Sequence, residues 1–110
     1  MKALVKSVAW QRWGAQSDFV GTLRADDHGV RLTGRDRHSG VDVALSIPLG
    51  EVADVRTCLD HRSHVAVVLE LEDGKPILLR PLGAGALGAE ALAHKLVVLV
   101  RGPRLLIPGG

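Results

Sequence analysis

The sequence predicts a mainly β domain: a bent antiparallel sheet or partly open barrel of about six or seven short strands, capped by one C-terminal α-helix. Three observations predict it. A strongly alternating hairpin occupies residues 65–82. Short alternating segments separated by turn residues precede it. Helical spacing replaces the alternation after it.

Residues 65–82 read VAVVLELEDGKPILLRPL. Val65, Val67, Leu69 and Leu71 fall at every second position, which in a strand puts them on one face. Ala66 and Val68 begin the other face, and Glu70 and Glu72 end it, so one end of that face is covered and the other is wet. Asp73 and Gly74 supply a turn, because glycine accepts a positive φ at little cost. Pro76 has no N–H to give a ladder, which suits the start of the return strand. Ile77 and Leu79 continue the alternation, and Arg80 points away.

The earlier segments follow the same rule. Phe19, Gly21, Leu23 and Ala25 form one side of a strand. Asp26, Asp27, His28 and Gly29 make a turn cluster. Val30 and Leu32 face inward on a strand over 30–34, with Arg31 and Thr33 outward. Residues 35–40, RDRHSG, form a polar hairpin loop. Val41, Val43, Leu45 and Ile47 line one face of the next strand, which Pro48 ends. Residues 51–59 restart as a strand whose apolar positions, Val52 and Val55, are out of step by one, the mark of a bulge or bend. Residues 60–64 lead into the central hairpin.

Gly83, Ala84 and Gly85 end the sheet. Leu92, Leu96 and Leu99 then share one helical face, with Ala89 close by, and Gly102 and Pro103 close the helix. Residues 3–13, ALVKSVAWQRW, fit either a helix or a strand. Residues 1–110 form a single domain, with the first 17 residues undecided between strand and helix and a short apolar tail over 102–110.

Composition narrows the function. Of 110 residues, 46% are hydrophobic and 24% charged, the balance of an ordinary globule. Aromatics make up only 3%, so the core is built from aliphatic side chains. Fourteen basic and 12 acidic residues are interleaved, with no basic block of the kind a nucleic-acid tail carries. Cys58 is the one cysteine, which excludes an intrachain disulfide framework. The start, MKALVKSVAW, lacks a signal-peptide apolar region. The run over 96–100 is far short of the ~20 residues of a membrane span. The expectation is a cytoplasmic protein without a transmembrane segment.

Several candidate sites follow from residue types. Cys58, His61 and His64, beside Asp60, are zinc donors by type. A structural zinc site takes four ligands, usually in two clusters, and a solvated turn is the simpler reading of this one. Residues 83–88, GAGALG, match G-x-G-x-x-G in letters, but no acidic residue follows Glu90 to hold a ribose. Arg31, Arg35, Arg37 and His38 gather near one hairpin tip, where the fixed donor fork of arginine suits phosphate or an anionic lipid. Trp10 and Trp13 serve either as core anchors or as an exposed aromatic pair for a partner. No Ser-His-Asp or Cys-His arrangement has catalytic spacing, and Asp26 and Asp27 belong to a turn formula. The expectation is no enzyme and no cofactor.

Gly21, Thr22 and Leu23 leading into Gly29, Val30, Arg31 and Leu32, and then Ser46, Ile47, Pro48, Leu49, Gly50, Glu51 and Val52, resemble the pleckstrin-homology-like superfold, particularly its bacterial and GRAM-like members. The second stretch is similar to the "IPL-x-x-I" turn that often begins the fourth strand region there. The likeness covers roughly residues 18–101. It implies a strongly bent antiparallel sheet with the C-terminal helix over one open end, and binding rather than catalysis. Members bind phosphoinositides, peptides or proteins. Basic residues around the first strand pair grip the headgroup in the lipid-binding members, and Arg24, Arg35 and Arg37 hold comparable places here.

The function expected is therefore a PH-like binding module that mediates protein–protein contact or self-association. Leu105, Leu106 and Ile107 in the tail and unpaired sheet edges favour association. The alternative is recognition of an anionic lipid headgroup or phosphorylated small molecule through Arg24, Arg31, Arg35 and Arg37.

Overall fold

The computed structural model describes residues 3–12, 18–59, 63–83 and 85–101. Seven antiparallel strands and one helix follow in order: β1 (Leu4–Arg12), β2 (Phe19–Ala25), β3 (Gly29–Asp36), β4 (Asp42–Pro48), β5 (Val52–Leu59), β6 (Val65–Leu71), β7 (Ile77–Pro81) and α1 (Gly85–Arg101). A single 3-10 turn, Leu49–Glu51, joins β4 to β5. The strands form one sheet in the order β4-β3-β2-β1-β7-β6-β5. β4 and β5 are its two edges, and the sheet is not closed.

Alternation selects one face of every strand for the core. Val8 and Trp10 on β1, Leu23 and Ala25 on β2, Val30 and Leu32 on β3, and Ile47 on β4 join Val67, Leu69, Ile77 and Leu79 from the other half. From the helix come Ala89, Leu92, Ala93 and Leu96, spaced at three and four so that they share one stripe. The helix packs on β5, β6 and β7. Leu23 and Leu32, several strands away on the same face, are nonetheless fully buried. The sheet therefore curls around one core rather than lying flat.

The ambiguous N-terminal segment is a strand, and a central one. β1 pairs with β2 on one side and with β7 on the other. Trp10 is 1% exposed. Its ring stacks on Phe19 with centroids 4.5 Å apart, and its Nε1 donates to the Thr33 carbonyl at 3.1 Å. A core anchor with its one polar group satisfied is thus the correct reading of Trp10, and the exposed partner-binding role expected for it does not hold. Trp13 lies outside the described residues.

The second face of the central hairpin behaves as its sequence implies. Ala66 and Val68 are buried, Glu70 is half-buried and Glu72 is exposed. The predicted slip in β5 is a register shift between Val52 and Asp54. The boundaries of two strands differ from the reading of pattern alone. β3 runs on to Asp36, and β4 begins at Asp42 and takes in Pro48. The Asp36 carboxylate explains the first difference, because it accepts from the N–H groups of His38 and Ser39 and holds the turn that follows. The edge position of β4 explains the second, since a proline whose N side faces outward takes no hydrogen bond from the ladder.

Candidate binding surfaces

Arginines stand on the outer face of the β2–β3 pair, but the fold separates the four that the sequence groups together. Arg24 lies directly opposite Arg31, and Arg31 opposite Ser46 on β4. Like charges directly opposite on one face are unfavourable in isolation. Arg35, further along β3, is already engaged: its Nε donates to Asp42 Oδ1 at 3.1 Å, and that bond raises the guanidinium pKa above its ordinary value. Arg37 sits in the turn after β3, where its backbone N–H donates to the Asp18 carbonyl. Its side chain lines a concavity with His64 and Arg80 rather than with Arg24 and Arg31.

The Arg24–Arg31 pair borders a concavity of about 450 Å³ whose rim includes Asp26, His28, Ser46 and Pro48. Two carboxylates share this end. Asp26 Oδ1 accepts from the backbone N–H groups of His28 and Gly29. The His28 hydrogen bond is the main reason its pKa falls below the ordinary carboxylate value, so Asp26 is an anion at neutral pH. Asp27 Oδ1 lies 3.8 Å from His28 Nε2. A negative ligand approaching the arginine pair meets the Asp26 carboxylate at the same rim.

Of the metal candidates, the structure describes Cys58 and His64. Cys58 is half-buried on β5, opposite Ala66, and His64 is exposed just before β6. His61 and Asp60 lie outside the described residues, as do Leu105, Leu106 and Ile107 of the tail. Among the described residues no group of three or more His, Cys, Asp or Glu side chains is placed to hold a metal. Two of the three glycines of the GAGALG stretch have a backbone explanation. Gly83 and Gly85 adopt φ of 73° and 63°, the left-handed turn that takes the chain from β7 into α1.

The two sheet edges differ in a way that sequence reasoning missed. β5 is guarded. It carries the register shift, Arg56 bonds Glu70 of β6, the helix packs on it, and Arg101 at the helix end bonds Asp54 at 3.0 Å. Among the described residues β4 has no register shift along its pairing with β3, and the helix packs on β5, β6 and β7 instead. The only charge on β4, Asp42, makes its one cross-strand ion pair among the described residues, with Arg35. Bulges, lysines and covering helices are the usual protections of an edge, and β4 ends only in Pro48.

The backbone of this edge can be read from one hydrogen bond. Asp36 N–H donates to the Val41 carbonyl at 3.0 Å, which makes Arg35 and Asp42 a non-hydrogen-bonded pair in the β3–β4 register. Ladder bonds alternate along an antiparallel pair. Val43, Leu45 and Ile47 therefore spend their backbone groups on β3, and Asp42, Ala44 and Ser46 direct theirs to the open side. The signal lay in VDVALSIP, which has one charge and no lysine, but the sequence did not mark this strand as an edge.

No family model matches the chain, and no curated protein matches it. Among the described residues no helix is long and apolar enough to cross a membrane.

Proposed function

We propose that this chain is a non-catalytic binding module of the PH-like type that works by protein–protein contact, and that the contact surface is the edge of β4. One observation carries the reading: a regular edge strand whose outward N–H and C=O groups at Asp42, Ala44 and Ser46 pair with no other strand among the described residues. Such an edge binds an extended segment by adding it to the sheet, with backbone hydrogen bonds for affinity and alternate side chains for selectivity. The half-buried Val43 and Leu45 sit just inside the edge and offer apolar contact to the inward residues of an added strand. A single cysteine suits a reducing compartment, and the module is taken to act in the cytoplasm.

The test is Ala44→Pro. The Ala44 N–H faces away from β3, so proline removes an outward donor without removing a ladder bond. The variant is expected to keep the unfolding free energy of the wild type to within about 1 kcal/mol in urea denaturation and to lose association with its protein partner, as measured by sedimentation velocity of the purified protein and of its complexes. Association untouched by Ala44→Pro would overturn the proposal. So would salt-sensitive binding to anionic vesicles that is abolished by Arg24→Ala with Arg31→Ala and untouched by Ala44→Pro, since that result assigns the binding to the arginine pair.

A further inference from the structure

We infer that the segment added to β4 is β4 of a second copy, paired antiparallel about Ala44. This rests on the β4 edge being the contact surface and adds the partner and the register. The two-fold axis would pass between the two Ala44 residues. Asp42 then stands opposite Ser46 of the second copy, Val43 opposite Leu45, and Ser46 opposite Asp42.

Three features of the chain agree with this register. First, the outward backbone groups of Asp42, Ala44 and Ser46 meet the same groups of the second copy, giving about six hydrogen bonds in three mutual pairs. Pairing about Leu45 would instead set Asp42 against Pro48, which has no N–H to donate. Second, side chains keep their faces: half-buried Val43 and Leu45 meet across the seam on the inner side, and Ala44 is small enough to face itself on the outer side. Third, the charges match. Arg24, Arg31 and Ser46 lie in one row across the outer face. Asp42 of the second copy extends that row by one strand, so its carboxylate lies beyond the small Ser46 side chain, two strand spacings of about 4.8 Å from Arg31. That is within the joint span of an extended arginine and an aspartate. The Asp42 side chain is 77% exposed, and its bond to Arg35 is made by Oδ1, so Oδ2 is open to a second cation. The opposed Arg24–Arg31 pair, unfavourable in the lone chain, gains a negative charge from across the axis.

The experiment is sedimentation equilibrium of the full chain over a concentration series, with wild type, Ala44→Pro, Ser46→Asp and the double variant Asp42→Lys with Ser46→Asp. Ser46→Asp sets two carboxylates opposite each other twice per dimer and is expected to weaken self-association roughly five- to tenfold. In the monomer it places a carboxylate beside Arg31, so folding is retained. The double variant sets an ammonium at position 42 opposite a carboxylate at position 46 of the second copy and is expected to restore association to within about threefold of wild type. A dimer abolished by Ala44→Pro but indifferent to the charge changes would overturn the register and leave the β4 edge standing. A dimer indifferent to Ala44→Pro would overturn both. A wild-type chain that stays monomeric throughout would overturn the second copy as partner, and the β4 edge would then be judged by whether Ala44→Pro releases a different protein.

Discussion

Gly21 stands where no other residue fits. A Cβ there would lie 2.1 Å from the Thr33 carbonyl oxygen, and one on Gly34, its cross-strand partner, 2.9 Å from Trp10 Nε1. Gly34 makes room for the indole, which stacks on Phe19 and reaches Thr33, and Gly21 lets β2 approach the β3 backbone at the same point. Gly21→Ala is expected to destabilise the fold by about 1–3 kcal/mol in urea denaturation. Gly50→Ala, with nothing within 4 Å of the added carbon, is expected to leave the unfolding free energy unchanged within about 0.5 kcal/mol. Asp26 supports a turn rather than a core. Its folded pKa lies below the ordinary 3.8 because the His28 N–H bonds the charged form. A depressed folded pKa gives stability that is complete above 3.8 and lost as the pH falls through the folded value. The stability gap between wild type and Asp26→Ala is therefore expected to be constant above about pH 5 and to shrink in acid. A gap that widens on acidification in pH-dependent urea unfolding would contradict this. At this scale the sequence was informative where a residue has one use, as with the turn carboxylates. It left Trp10 undecided, since an indole serves a core and an interface equally well until its neighbours are known.

The elements were legible to the degree that their period was clean. The 65–82 hairpin alternates without a break and folds as β6 and β7. The one-residue slip between Val52 and Val55 is a real register shift. The helix announces itself by Leu92 and Leu96, both buried against the sheet. β1 was illegible for a physical reason. As a central strand it is buried on both faces around its middle, with Ala9 covered on the outer side and Val8 and Trp10 on the inner. A strand buried on both sides loses its alternation and reads as well for a helix. Edge character is also a property of elements, and it separates β4 from β5. A proline at Ala44 tests it because the position of one N–H, outward or inward, decides whether the strand tolerates the ring. The same substitution at Leu45, whose N–H is spent on β3, is expected to cost about 3 kcal/mol or more. Similar urea midpoints for the two proline variants would contradict the assigned alternation.

Strand order belongs to the whole molecule, and little of it lay open in the sequence. Consecutive strands pair, as short turns require, within β1–β4 and within β5–β7. The contact that joins the halves, β1 with β7, pairs Val8 with Pro81 and Arg12 with Ile77. No turn residue announces a pairing over such a separation. It makes β1 central and leaves β4 and β5 as edges, and so it decides which backbone groups a partner can reach. The candidate arginines were legible as residues but not as a patch, because the curl and the register divide them: Arg24 with Arg31, Arg35 with Asp42, and Arg37 with the far end of the sheet. A binding surface made of backbone shows in residue types only as an absence, here one charge and no lysine in VDVALSIP, and that absence does not mark a strand as an edge.

Amide hydrogen exchange resolved along β4, at low and high protein concentration, tests the β4 edge most directly. The Val43 and Leu45 amides are expected to be protected at every concentration, because β3 holds them. The Ala44 and Ser46 amides are expected to exchange rapidly in dilute solution and to slow as the concentration rises, when a second copy takes them up. Ala44 and Ser46 amides that exchange at one fast rate throughout, while the protein sediments as a dimer, would show that the copies meet elsewhere and would contradict the β4 edge as the contact surface.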